Sequence, residues 1–259
     1  MRDYFLEPAQ TNLELYAQAI ASGYGPHPRR RMAQAYQFAL RQVFPLARGS
    51  GKPFIAHLVG TASLVLASGC PEDWVTAALL HAVYQRRVPF SGGLEPERRR
   101  PVIAELFGTG VDDLIHRYTE FESQDLYRIP TEVVKANRDL VTLRLADELE
   151  DLCGHALALH GYPDSEEASV RGSSAWRRKS KTHEVDGLLD KAQVLGLKDI
   201  ARGISHWMDF ASIPEDLNDF RTGWFSSVDL ASADDENSFP THGGPNTLGR
   251  KAKRSLQED

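Results

Sequence analysis

The chain has 259 residues, of which 41% are hydrophobic and 25% are charged, a composition sufficient for one sizeable core, or for one core with an appendage. Its formal net charge of −6 provides no basic surface for nucleic acid, so we expect no nucleic-acid partner. No apolar run approaches the roughly 18 residues of a membrane helix, and no apolar signal segment opens the chain. We therefore expect no membrane association and a cytoplasmic location.

Helical periodicity extends through most of the first 160 residues, and no alternating strand pattern of useful length appears. Segment 54–67 is apolar nearly all round, which is typical of a buried central helix. The predicted helices lie at 10–22, 28–44, 54–67, from 71 onward, 95–107, 109–121 and 131–160, with a loop at 88–93. The sequence therefore predicts an all-α domain over residues 1–162.

The chain becomes more polar and loses its helical periodicity directly after this domain. Residues 163–183 are polar and mixed in charge, which predicts a linker or a long loop. Helical periodicity returns within residues 184–225, at 184–195, 198–210 and near 214–220, and predicts a C-terminal helical appendage. Residues 226–259 are rich in Ser, Asp, Gly, Pro and Lys and have the composition of a disordered tail.

Three polar side chains occupy helix positions where packing would favour an apolar residue. Two are His57 and His81, each in an apolar segment. The third is Asp147, which continues the apolar stripe of Leu140 and Leu143. Ionised carboxylates are rarely buried without a partner. Two histidines and one carboxylate on separate helices therefore indicate a metal site assembled between helices.

Simpler interpretations of the same residues remain open at this stage. A histidine on an apolar helix is usually satisfied by a hydrogen bond in the core. The charge of Asp147 could be satisfied by a salt bridge to Arg48 or Arg144 without any metal.

The sequence around these residues resembles a known family. The segment from Gly49 to Val83, GSGKPFIAHLVGTASLVLASGCPEDWVTAALLHAV, is similar to the first half of the HD-domain phosphohydrolase core. The similarity is closest to the (p)ppGpp hydrolase domain of the RelA/SpoT type. It continues through Glu105–Val111, ends at Leu143–Asp147, and covers roughly residues 30–155.

This resemblance implies an HD-domain-like helical bundle whose metal ligands are His57, His81 and Asp147. It also implies that Arg48 and Ser50, in the turn before the first of these histidines, contact a nucleotide base or phosphate. The cofactor would be a divalent metal, Mn, Fe or Mg, and the ancestral chemistry would be hydrolysis of a nucleotide or phosphoester.

Several family residues are replaced in this chain. The His-Asp doublet of the family reads His81-Ala82 here, so one metal ligand is absent, and an acidic pair reads Gln85-Arg86. Asp151, one helical turn after Asp147, is a candidate substitute ligand. We therefore expect the metal to be weakly held or absent, and we expect no useful hydrolysis of (p)ppGpp.

Two functional hypotheses follow from these matches and departures. In the first, the protein is a divergent HD-superfamily phosphohydrolase with weakened or altered activity on a small nucleotide or phosphoester. In the second, it is a non-catalytic relative that uses the helical cleft to bind a ligand or to act as a scaffold. The sequence leaves catalytic activity, metal identity, substrate and oligomeric state open.

Overall fold

A computed structural model describes residues 2–44, 46, 52–85, 94–153 and 182–210. Within these ranges the regular structure is helical and contains no strand, which confirms the predicted all-α class. The α-helices are α1 (Asn12–Ala21), α2 (Pro26–Val43), α3 (Phe54–Ala67), α4 (Glu72–Leu80), α5 (Pro96–Phe107), α6 (Thr109–Glu122), α7 (Thr131–Ala136), α8 (Arg138–Leu152), α9 (Thr182–Val194) and α10 (Lys198–Phe210).

The long helix predicted at 131–160 is wrong in one respect, because the structure has two helices that meet at Asn137. This residue leaves the helical region, with φ −115° and ψ 39°. The carbonyl of Val133 accepts from both the backbone N–H and the side-chain amide of Asn137, at 3.0 and 2.9 Å, so Asn137 caps the C-terminal end of α7. The second helix, α8, ends at Leu152, and residues 154–160 lie outside the described residues.

The central element of the core is α3, as its apolar sequence predicts, and nearly all of its residues are buried. Helices α1, α2, α4 and α8 pack around it, while α6 packs against α4 and α8. The metal-site candidates are thereby carried by α3 and by two helices, α4 and α8, that both pack against it.

The described part of the predicted appendage, α9 and α10, forms a pair that also contacts α8. Its buried residues Leu188, Ala192, Ile200 and Ile204 belong to the same hydrophobic core as the preceding helices. The predicted linker up to residue 181, the helix near 214–220 and the tail at 226–259 lie outside the described residues. None of the described helices combines the length and the apolar character needed to cross a bilayer.

Candidate metal centre

The structure brings His57, His81 and Asp147 together. One potential ligand atom from each side chain lies within 4.8 Å of the others, and all three residues are buried. His57 lies in the first turns of α3, and Asp147 lies in the middle of α8. His81 is the C-cap of α4 rather than an interior helix residue.

Both imidazole rings present Nε2 to the same carboxylate oxygen. Nε2 of His57 lies 3.0 Å from Oδ1 of Asp147, and Nε2 of His81 lies 3.6 Å from that oxygen. The two rings meet edge to face, with centroids 5.4 Å apart. The three side chains therefore converge on one point between α3, α4 and α8.

The opposite nitrogen of each ring has a hydrogen-bond acceptor. Nδ1 of His81 donates to the carbonyl of Ala78 at 2.8 Å, and Nδ1 of His57 donates to Oε2 of Glu150 at 2.6 Å. Carbonyl and carboxylate oxygens only accept, so Nδ1 of each ring carries a proton, and Nε2 is the nitrogen that faces Asp147. Histidines that bind metals are commonly oriented in this way.

The two oxygens of Asp147 have different surroundings. Oδ2 accepts a hydrogen bond from the hydroxyl of Tyr118 at 2.6 Å. Oδ1 is buried, and although Nε2 of His57 lies 3.0 Å from it, it makes no hydrogen bond of good geometry. Buried carboxylate oxygens almost always have a well-aligned donor. An oxygen of this kind beside Nε2 of two imidazoles fits a divalent cation, so this buried group of side chains can hold a metal ion.

The pKa values of two of these groups favour the forms that bind metals. Burial lowers the pKa of His81 by more than the attraction of Asp147 raises it, which keeps this imidazole neutral near pH 7. Burial by itself would raise the pKa of Asp147, but His81, His57 and Arg144 together hold it well below its usual value. Neutral imidazole and ionised carboxylate are the protonation states that a metal requires.

Asp151 has a different position from the one expected of a substitute ligand. Its Oδ1 lies 3.5 Å from Nδ1 of His57, whereas Asp147 lies at Nε2 of the same ring. Asp151 thus belongs to a second group with His57 and Glu150.

The sequence left open a salt bridge between Asp147 and Arg144. The structure instead pairs Arg144 with Glu148 at 2.5 Å. Arg48 and Ser50, the expected nucleotide contacts, lie outside the described residues, as does Arg86.

Sequence reasoning missed Lys52, Tyr118 and Glu150 as parts of this centre. Glu150 follows Asp147 by three residues and so lies near it on α8, and this spacing is the one signal that the sequence offered for it. Tyr118 lies on the buried stripe of α6, where the sequence predicts packing and does not show the partner of its hydroxyl. Lys52 is 2% exposed and donates to Oε1 of Glu150.

Gly60 on α3 allows Glu150 to lie directly against the helix. A Cβ atom at this position would lie 2.5 Å from Oε1 and 2.6 Å from Cγ of Glu150. We expect Gly60→Ala to lower the free energy of unfolding by about 1–3 kcal/mol, because the buried carboxylate has to move. Urea denaturation followed by circular dichroism measures this change.

The matched control is Gly110→Ala on α6, where the new Cβ would lie 3.6 Å from Oδ2 of Asp73, an ordinary contact. Alanine is the better helix former, so this variant should be at least as stable as the wild type. Equal stability of both variants would show that Glu150 has room to move.

Two comparisons with known proteins bear on this centre. A family model described as a domain of unknown function, DUF6817, matches residues 47–122. The match includes His57 and His81 and ends before Asp147 and Glu150. No curated protein matches the chain significantly.

Proposed function

We propose that this protein binds one divalent cation through His57, His81 and Asp147. We further propose that it is a divergent HD-like phosphohydrolase acting on a small phosphoester or nucleotide. The observation that carries the proposal is the convergence of Nε2 of His57, Nε2 of His81 and Oδ1 of Asp147 in one buried group, where Oδ1 makes no well-aligned hydrogen bond. The similarity of the sequence to the HD-domain pattern supports the choice of reaction class.

The donor set favours Fe2+ or Mn2+ over Mg2+. Two imidazoles suit borderline transition metals, while Mg2+ prefers oxygen ligands only. At the position where the HD pattern has a carboxylate, Ala82 is 1% exposed and offers no ligand atom. The lower negative charge of the centre should weaken binding, most strongly for the hardest cation.

When bound, the cation would polarise a phosphoryl oxygen and lower the pKa of a water. The chain supplies the groups that orient the ligands, since Tyr118 fixes one oxygen of Asp147 and leaves the other available. We propose Glu122 of α6 as the proton acceptor. The side-chain amide of Gln85 donates to both of its oxygens, at 3.0 and 2.9 Å. A carboxylate thus lies beside the position where the HD pattern has its acidic pair.

The proposed reaction is tested with bis(p-nitrophenyl) phosphate as a chromogenic probe and Mn2+ as the metal. We expect slow, metal-dependent release of nitrophenol that Asp147→Asn abolishes. Glu122→Gln should reduce turnover by about 10²–10⁴-fold, the usual contribution of a general base, without weakening Mn2+ binding. We expect no useful turnover of (p)ppGpp. Metal binding without turnover of any phosphoester would contradict the enzymatic part and favour the non-catalytic ligand-binding alternative.

Restoring the absent carboxylate should strengthen metal binding. We expect Ala82→Asp to lower the Kd for Mn2+ by about tenfold or more, because a second carboxylate next to His81 adds a negative charge in a buried site. The matched control is Ala82→Asn, which adds a side chain of the same shape without the charge. Calorimetric titration compares the two variants, and equal affinities would show that residue 82 does not face the cation.

A further inference from the structure

Lys52 and Glu150 form a buried ion pair that connects the start of α3 to α8. Their side chains are 3% and 1% exposed, and the ammonium group of Lys52 donates to Oε1 of Glu150. The other carboxylate oxygen, Oε2, accepts from Nδ1 of His57 at 2.6 Å. Each oxygen of Glu150 thus has one donor, and one of these donors belongs to a proposed metal ligand.

Burying such a pair is costly for a protein. Both charges lose their hydration on burial, and well-packed apolar residues often replace a buried pair at no loss of stability. The pair therefore has little value for stability alone. What apolar residues cannot supply is an acceptor for the buried N–H of His57.

We infer that Glu150 is a positioning residue that keeps the proton of His57 on Nδ1, with Lys52 holding the carboxylate in place. Nε2 of His57, which lies 3.0 Å from Oδ1 of Asp147, is then the ring nitrogen that can bind a cation. If the proton moved to Nε2, the ring would donate to Asp147 and no longer bind a metal. This inference rests on the proposed function, because the orientation of the proton matters only at a metal ligand.

The acceptor role belongs to Glu150 rather than to its neighbour Asp151. Oδ1 of Asp151 lies 3.5 Å from Nδ1 of His57, beyond hydrogen-bond distance. Its side chain is also 25% exposed, so water competes for it. Glu150 is closer and shielded from solvent.

The test compares two double variants of the full chain that both remove the ion pair. Lys52→Met with Glu150→Gln keeps an acceptor oxygen beside His57, whereas Lys52→Met with Glu150→Met replaces it by an apolar side chain of similar shape. Proton–nitrogen NMR on the metal-free proteins shows which ring nitrogen of His57 carries the proton. Calorimetric titration with Mn2+ then gives the metal affinity of each variant.

We expect the wild type and the Gln variant to have the Nδ1 proton, with Mn2+ affinities within about threefold of each other. The Met variant should lose that proton and bind Mn2+ about 10–100-fold more weakly, as when a residue that orients a metal ligand is lost. An Nδ1 proton and wild-type affinity in the Met variant, whether through Asp151 or another acceptor, would overturn the inference.

Failure of the inference is distinguishable from failure of the proposed metal centre. If the wild type does not bind Mn2+, the metal centre is wrong, and the proton position in the metal-free proteins still decides the role of Glu150. If the wild type binds Mn2+ and the two double variants bind it equally, only the positioning role is wrong.

Discussion

Lys52→Met is expected to lower the free energy of unfolding by about 3–5 kcal/mol, the usual cost of leaving one partner of a buried ion pair without the other. Lys52 is 2% exposed, and so is Glu150. Without the ammonium group, Oε1 of Glu150 loses its donor while the carboxylate stays buried between α3 and α8. Urea denaturation at neutral pH gives the magnitude of the change.

Two further variants separate the charge effect from the loss of the Lys52 side chain. Lys135→Met, at an exposed position on α7, should change the unfolding free energy by no more than about 0.5 kcal/mol. Adding Glu150→Met to Lys52→Met should recover most of the lost stability, because the unpaired charge is removed. A Lys52→Met protein as stable as the wild type would show that Glu150 is already satisfied without the lysine.

Asp147→Asn is expected to weaken Mn2+ binding by at least about 100-fold. Loss of a residue that only orients a ligand typically costs 10–100-fold, and Asp147 is the single carboxylate of the proposed donor set. The amide keeps the shape of the side chain and an oxygen for the hydroxyl of Tyr118, so the main change is the lost charge. Calorimetric titration of the wild type and the variant measures the effect.

The matched control for this experiment is Asp113→Asn on α6, whose side chain is 60% exposed. This variant should bind Mn2+ as the wild type does, because an exposed charge is screened by solvent. Similar weakening in both variants would mean that the overall charge of the protein, and not a specific ligand, controls the affinity.

Much of the fold could be predicted because apolar periodicity reports burial directly. The apolar sequence of 54–67 predicted the central helix α3, and the polar residues in apolar positions predicted a site near His57 and Asp147. The break at Asn137 could not be predicted in the same way, because the apolar stripe continues through it. There a single residue, Asn137, leaves the helical region of the backbone, and its side-chain amide adds a bond to a carbonyl in the last turn of α7.

The supporting residues of the site were harder to predict, because their partners are far apart in sequence. Lys52 and Glu150 are separated by 98 residues, and neither residue type by itself indicates burial. Which nitrogen of His57 carries its proton depends on Glu150, so the sequence could identify the candidate ligand and not its orientation.

The most direct test of the metal centre is a crystal soaked in Mn2+, with anomalous diffraction recorded near the manganese edge. A cation bound as proposed gives one anomalous peak about 2 Å from Nε2 of His57, Nε2 of His81 and Oδ1 of Asp147. A peak at any other group of side chains, or no peak at saturating Mn2+, would contradict the proposed centre.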